Sequence, residues 1–127
     1  MKKTVFLFGE AERGDFCLPC WLQTMPQLEE KYGNPPPDTQ GILYAVQALM
    51  YDREIIYFRV QEEGFSLTDY RQGIDLIAAR QSIPALAAIC MPGVGDASII
   101  EASAHLCLMQ GSILIVSEKD LYDYLMA

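Results

Sequence analysis

The chain has 127 residues, 51% of them hydrophobic and 20% charged, with 9 basic and 17 acidic side chains and a formal charge of −8. That length suits one domain over residues 1–127 with a real core. The acidic balance excludes the basic footprint that nucleic acid or an anionic membrane surface requires. No run approaches the ~20 apolar residues of a membrane span, and the stretch after Met1–Thr4 is too short for a signal-peptide core, so a cytoplasmic protein is expected. The apolar surplus predicts a homo-oligomer, most simply a dimer.

Thr4–Phe8 is a continuous apolar run rich in β-formers and reads as a buried first strand, ending at Gly9. Glu54–Val60, Ala85–Met91 and Ser112–Val116 read as three more. Helical spacing joins Ile42, Leu43, Val46, Leu49 and Met50 over 38–51, and Tyr70, Ile74 and Ile77 over 67–80. It joins Ile100, Ala104, Cys107 and Leu108 over 98–109, and Leu121 and Leu125 over 118–126. Ser66/Asp69, Ser98/Glu101 and Ser117/Asp120 have capping-box spacing at three of these starts. Cys90 and Cys107 read as small core residues.

Strands alternating with helices predict an α/β fold. The expectation is a single three-layer, Rossmann-like or flavodoxin-like domain with a mostly parallel sheet of about four strands. Residues 10–37 break the rhythm, being too long for a plain connection. An extra helix over 22–32 is expected there, with Leu22, Met25 and Leu28 inward. The rest of that segment lies past the carboxyl end of the first strand, the edge where open α/β sheets bind ligands.

Two loops should meet at that edge. In the first, from Gly9 to Asp15, Arg13 suits a carboxylate or phosphate, and Glu10 suits acid–base work or a ribose diol. The second, Pro92-Gly-Val-Gly-Asp96, joins Gly93 and Gly95 to a helix N-terminus whose first residues include Asp96 and Ser98. The glycines equally suit a tight turn. Together the loops predict a small anionic, nucleotide-like ligand as partner. Glu62-Glu63-Gly64, after the second strand, either borders this pocket or makes a charged turn before the Ser66 cap.

Pro92, Gly93, Gly95 and Glu101 resemble the P-G-G-x-G-T-x-x-E pattern of Lonely-Guy-type phosphoribohydrolases. They are also similar to the D-x-G-x-x-x-E stretch of nucleoside deoxyribosyltransferases. The spacing here is one residue longer, and Asp96 replaces a threonine. The resemblance implies a Rossmann-like fold and glycosidic-bond chemistry with Glu101 as nucleophile or base. Read from its spacing alone, Glu101 is equally the acid of the Ser98 cap.

Cys17-Leu-Pro-Cys20 is the rival constellation, since a C-x-x-C at a helix start favours a thiolate. With Pro26, the 27–32 stretch and Ile83-Pro84, it resembles thioredoxin-like proteins, which implies thiol–disulfide exchange. The helix expected over 98–109 departs from that family, where a hairpin would follow the third strand. No second C-x-x-C accompanies it and His105 is the only histidine, so neither a metal site nor a cofactor is expected. A third reading is a non-enzymatic module for assembly.

Overall fold

The computed structural model describes residues 2–79 and 83–127. In chain order the elements are β1 (Thr4–Gly9), β2 (Cys20–Leu22), α1 (Met25–Tyr32), α2 (Gly41–Met50) and β3 (Glu54–Arg59). They continue as α3 (Leu67–Ala79), β4 (Ala88–Cys90), α4 (Ala97–Gln110), β5 (Ile113–Ile115) and α5 (Glu118–Met126). Met1 and Arg80, the expected end of the second long helix, lie outside the described residues.

One five-stranded sheet has the order β2-β3-β1-β4-β5. The pairs β1–β3, β1–β4 and β4–β5 are parallel, and β2–β3 is antiparallel. The fold is therefore α/β with a mostly parallel sheet, a layout consistent with a Rossmann-like arrangement. The two faces bury separate clusters, as period-2 alternation requires. Val5, Leu7, Ile55, Tyr57, Ala88 and Cys90 face α1, α2 and α5. Phe6, Phe8, Ile56, Phe58, Ile89 and Met91 face α3 and α4. At ~1.5–3 kcal/mol per fully buried large apolar side chain, these faces are the main source of stability.

The parallel strands match the sequence reading, with β4 and β5 shortened to three residues each. Three expectations need correction. The extra helix begins at Met25, not Leu22. Residues 20–22 instead form β2, Leu22 is buried in the sheet, and Met25 is exposed. On α2 the buried face is Ile42, Tyr44, Ala45 and Ala48, while Leu43 and Met50 point outward. The small alanines bring that helix close to the sheet. On α4 the buried stripe is Ile99, Ser103 and Cys107, so of the expected Ile100, Ala104, Cys107 and Leu108 only Cys107 lies on it. Leu108 is 81% exposed.

The capping patterns divide. Ser117 caps α5, accepting from the Asp120 amide at 3.2 Å, and Asp120 accepts in turn from Val116. The cap of α4 is Asp96, whose Oδ1 accepts from the Ile99 amide at 3.0 Å, so Ser98 is not the cap. Ser66 and Asp69 turn back onto the preceding loop and hold the amides of Glu62 and Gln61. Among the described residues, no helix is long and apolar enough to cross a membrane.

Candidate functional site

Strand order reverses between β1 and β4, because the chain leaves β1 towards β3 and leaves β4 towards β5. Crevices of open α/β sheets form at the carboxyl ends of such a pair. The Gly9–Asp15 and Pro92–Asp96 loops follow these two strands, as expected.

A third segment, Gln61–Gly64 after β3, is built into this edge. Glu63 Oε1 accepts from the amides of Glu10 (3.1 Å) and Gly41 (3.0 Å), and Oε2 accepts from Gln40 (2.6 Å). Three backbone donors from the end of β1 and the start of α2 thus converge on one carboxylate. Glu10 reciprocates, its Oε2 accepting from the Glu63 amide at 2.9 Å. The Tyr57 hydroxyl donates to the Glu10 carbonyl at 2.7 Å.

Two glycines allow this convergence. A Cβ on Gly9 would stand 2.7 Å from Gly41 Cα and press on the Tyr57 hydroxyl, and one on Gly41 would meet Gly9 equally closely. The start of α2 therefore lies against the end of β1 with its first amides turned to the same spot. The Glu63 loop is pinned on its other side, where the Gly64 amide donates to the Tyr70 hydroxyl at 2.6 Å. Gly64 has φ +88° and lies so close to Gly93 that a Cβ would be 2.6 Å from its carbonyl oxygen. The loop after β3 thereby touches the loop after β4.

Burial raises the Glu63 pKa above its ordinary value, and the nearby Glu10 charge adds to the rise. The three amides pull the other way without cancelling it. Glu63 is thus held as an internal anion at a desolvation cost.

The remaining sequence candidates are placed as follows. The Arg13 guanidinium donates to the carbonyls of Glu29 (2.8 Å) and Glu30 (3.2 Å), closing the carboxyl end of α1. Asp96 caps α4, and Ser98 contacts Arg71. Gly93 turns the chain after β4 with φ +80°, whereas nothing lies within 4 Å of a Cβ at Gly95. Glu101 is exposed on α4. The structure therefore brings together Gly9, Glu10 and Gly93 with Glu63, and leaves Gly95 and Glu101 outside that cluster.

Cys17 and Cys20 do not open a helix; Cys17-Leu-Pro-Cys20 is the reversal into β2. The Cys17 amide donates to the Arg59 carbonyl at 2.8 Å, Cys17 itself sits at φ +55°, and the chain returns antiparallel along β3. Burial, with the Asp69 carboxylate beside it, pushes the Cys17 thiol up to about 11. A thiolate-favouring site would do the opposite. Both cysteines are free. No cis peptide bond occurs among the described residues, the Ile83–Pro84 step included.

Arg59 escaped the sequence reading. Its guanidinium donates to the carbonyls of Ala11 (3.0 Å) and Gly14 and lies 3.9 Å from the centre of the Phe16 ring. It thereby organises the irregular 10–16 segment. A lone arginine closing an otherwise apolar strand was the available signal, as was the hydroxyl of Tyr57 within that strand.

No protein-family model matches this chain, and neither a curated protein nor a solved structure matches it. Among the described residues, no group of three or more His, Cys, Asp or Glu side chains is placed to hold a metal ion.

Proposed function

We propose that this chain is a Rossmann-like binding domain for a small anionic, phosphate-bearing ligand, taken at the carboxyl edge of its sheet. The observation that carries the reading is the convergence of the Glu10, Gln40 and Gly41 amides on one carboxylate. Amides at a helix start, reinforced by the helix dipole, suit an anion. Here Glu63 supplies that anion, from a loop rather than from α2 itself. A phosphate brings more charge and more acceptor oxygens to the same donors. It would bind by displacing the Glu63 side chain. Nothing around Glu101 adds support for glycosidic-bond chemistry, so the proposed function is binding.

The test compares wild type with Glu63→Ala in thermal-shift titrations against inorganic phosphate and adenosine monophosphate. The emptied amides should take phosphate more tightly in the variant, which should gain more from either ligand than wild type does. Lack of stabilisation in both proteins would reject the reading.

A second reading, self-assembly, is favoured by one feature. Met50 and Tyr122, 70% and 61% exposed, border an apolar groove of about 160 Å³ between α2 and α5 with Tyr51 and Met126. Exposed apolar groups clustered in this way suit a partner surface. Light scattering should give a dimer mass for wild type and a monomer mass for Met50→Glu. A monomeric wild type would end this reading.

A further inference from the structure

Five tyrosines are buried: Tyr32, Tyr44, Tyr57, Tyr70 and Tyr124. Four of them bond their hydroxyls within the protein. Tyr32 donates to the Tyr57 carbonyl, Tyr57 donates to that of Glu10, and Tyr70 and Tyr124 accept from the Gly64 amide and the Arg53 guanidinium. Tyr44 is the exception. It is 3% exposed, yet among the described residues its hydroxyl has no hydrogen-bond partner. The fully buried side-chain polar atoms that lack a partner there are Arg59 Nε and Gln110 Oε1, so the Tyr44 oxygen reaches solvent. Packing does not explain such a hydroxyl. Phenylalanine would fill the same space without stripping water from a polar group.

The position of Tyr44 ties it to the anion cradle. It stands one turn after Gln40 and Gly41, and its amide donates to the Gln40 carbonyl at 2.9 Å. Helical side chains lean towards the N-terminus, which carries this hydroxyl back to the end of α2 that holds Glu63. Burial pushes the hydroxyl up to about 12, and Cys90, Glu118, Glu63 and Asp120 add to the rise, in that order. Cys90 ends β4, while Glu118 and Asp120 lie in the first turn of α5. The hydroxyl therefore stands beside the cradle at the reversal between β1 and β4, on the side towards α5.

We infer that Tyr44 is a further ligand contact of the proposed site, and that the ligand is a phosphate monoester of a hydroxyl-rich body, the chemistry of a sugar phosphate. The inference rests on the cradle reading. The phosphate replaces the Glu63 carboxylate, and the sugar extends from it across the reversal to Tyr44. There the phenol bonds one sugar hydroxyl, and the exposed Glu118 carboxylate accepts from another. The carboxylates on that side repel a second phosphate, so a monoester suits the place better than a diphosphate.

The test titrates wild type and Tyr44→Phe with inorganic phosphate, butyl phosphate and ribose 5-phosphate, following the Glu10, Gln40 and Gly41 amides by NMR. Wild type should bind ribose 5-phosphate most tightly. Tyr44→Phe should bind it about fivefold more weakly, the effect of one neutral hydrogen bond. Its affinity for inorganic phosphate and butyl phosphate, which offer Tyr44 no hydroxyl, should match wild type. Urea unfolding of the unliganded variant should also match, because no protein hydrogen bond is lost. Equal affinity of the two proteins for ribose 5-phosphate, with phosphate still bound at the three amides, would overturn the inference and leave the cradle reading standing. Wild type that binds none of the three compounds would remove both. A variant of lowered stability would give the hydroxyl a partner within the protein and overturn the inference as well.

Discussion

Replacing Glu63 by alanine removes one side chain and strands three amides. Hydrogen bonds to a charged group contribute ~1.5–3 kcal/mol each, which sets an upper limit of about 5–9 kcal/mol for the three. Two effects reduce it. The carboxylate is held at a desolvation cost, as its raised pKa shows. The site is also only half-buried, so water can reach the abandoned amides. A net loss of about 2–3 kcal/mol is expected, without a change in the urea m-value, because the core is untouched. Glu63→Gln keeps one acceptor oxygen and should lose about half as much. Urea unfolding at neutral pH measures both. A loss below about 0.5 kcal/mol for alanine, the range of ordinary surface substitutions, would refute the claim that Glu63 organises this edge.

Further outcomes follow from the same contacts. The folded pKa of Glu63 is raised, so the folded chain holds that proton more tightly than the unfolded chain. Its contribution should be greatest below the ordinary carboxylate range and should decline as pH rises through the raised folded value. The stability difference between wild type and Glu63→Gln, followed by urea unfolding across that range, should show this decline. Gly73→Ala should destabilise by about 1–3 kcal/mol, because the new methyl group presses on Phe8 and comes within 3.2 Å of Phe58; thermal unfolding measures it. With its thiol raised to about 11, Cys17 should be only about one ten-thousandth thiolate at neutral pH and slow towards thiol reagents. Asp69→Asn should speed its modification, and a fast wild-type Cys17 would restore the redox reading.

The strands were legible because β1 and β3 are buried on both faces and read as continuous apolar runs. The stripe on α3 was legible because Tyr70, Ile74 and Ile77 stand against polar neighbours. The phase of α4 was not, since Ile99, Ile100, Leu106, Cys107, Leu108 and Met109 place apolar groups around much of the helix. Periodicity cannot then choose between adjacent rotations. β2 was hidden by its length and by Trp21, which is exposed where a core strand would bury it. The edge that gathers Gly9, Glu10 and Gly93 could be read from strand order. Glu63 as its centre could not, because its partners Glu10, Gln40 and Gly41 are brought together only by the crossover from β1 to β3. Ser98 failed as a cap because the helix starts two residues earlier at Asp96, which accepts from the Ile99 amide, so Ser98 already lies inside the first turn.

The central claim is that the Glu10, Gln40 and Gly41 amides form an anion cradle closed by Glu63. Backbone amide shifts of the wild-type chain, followed by NMR while inorganic phosphate is added, test it most directly. The account predicts that these three amides and that of Glu63 move together and saturate, with the Gly64 amide following as its loop lifts. Shifts scattered over the surface, or none at these positions while others saturate, would contradict it.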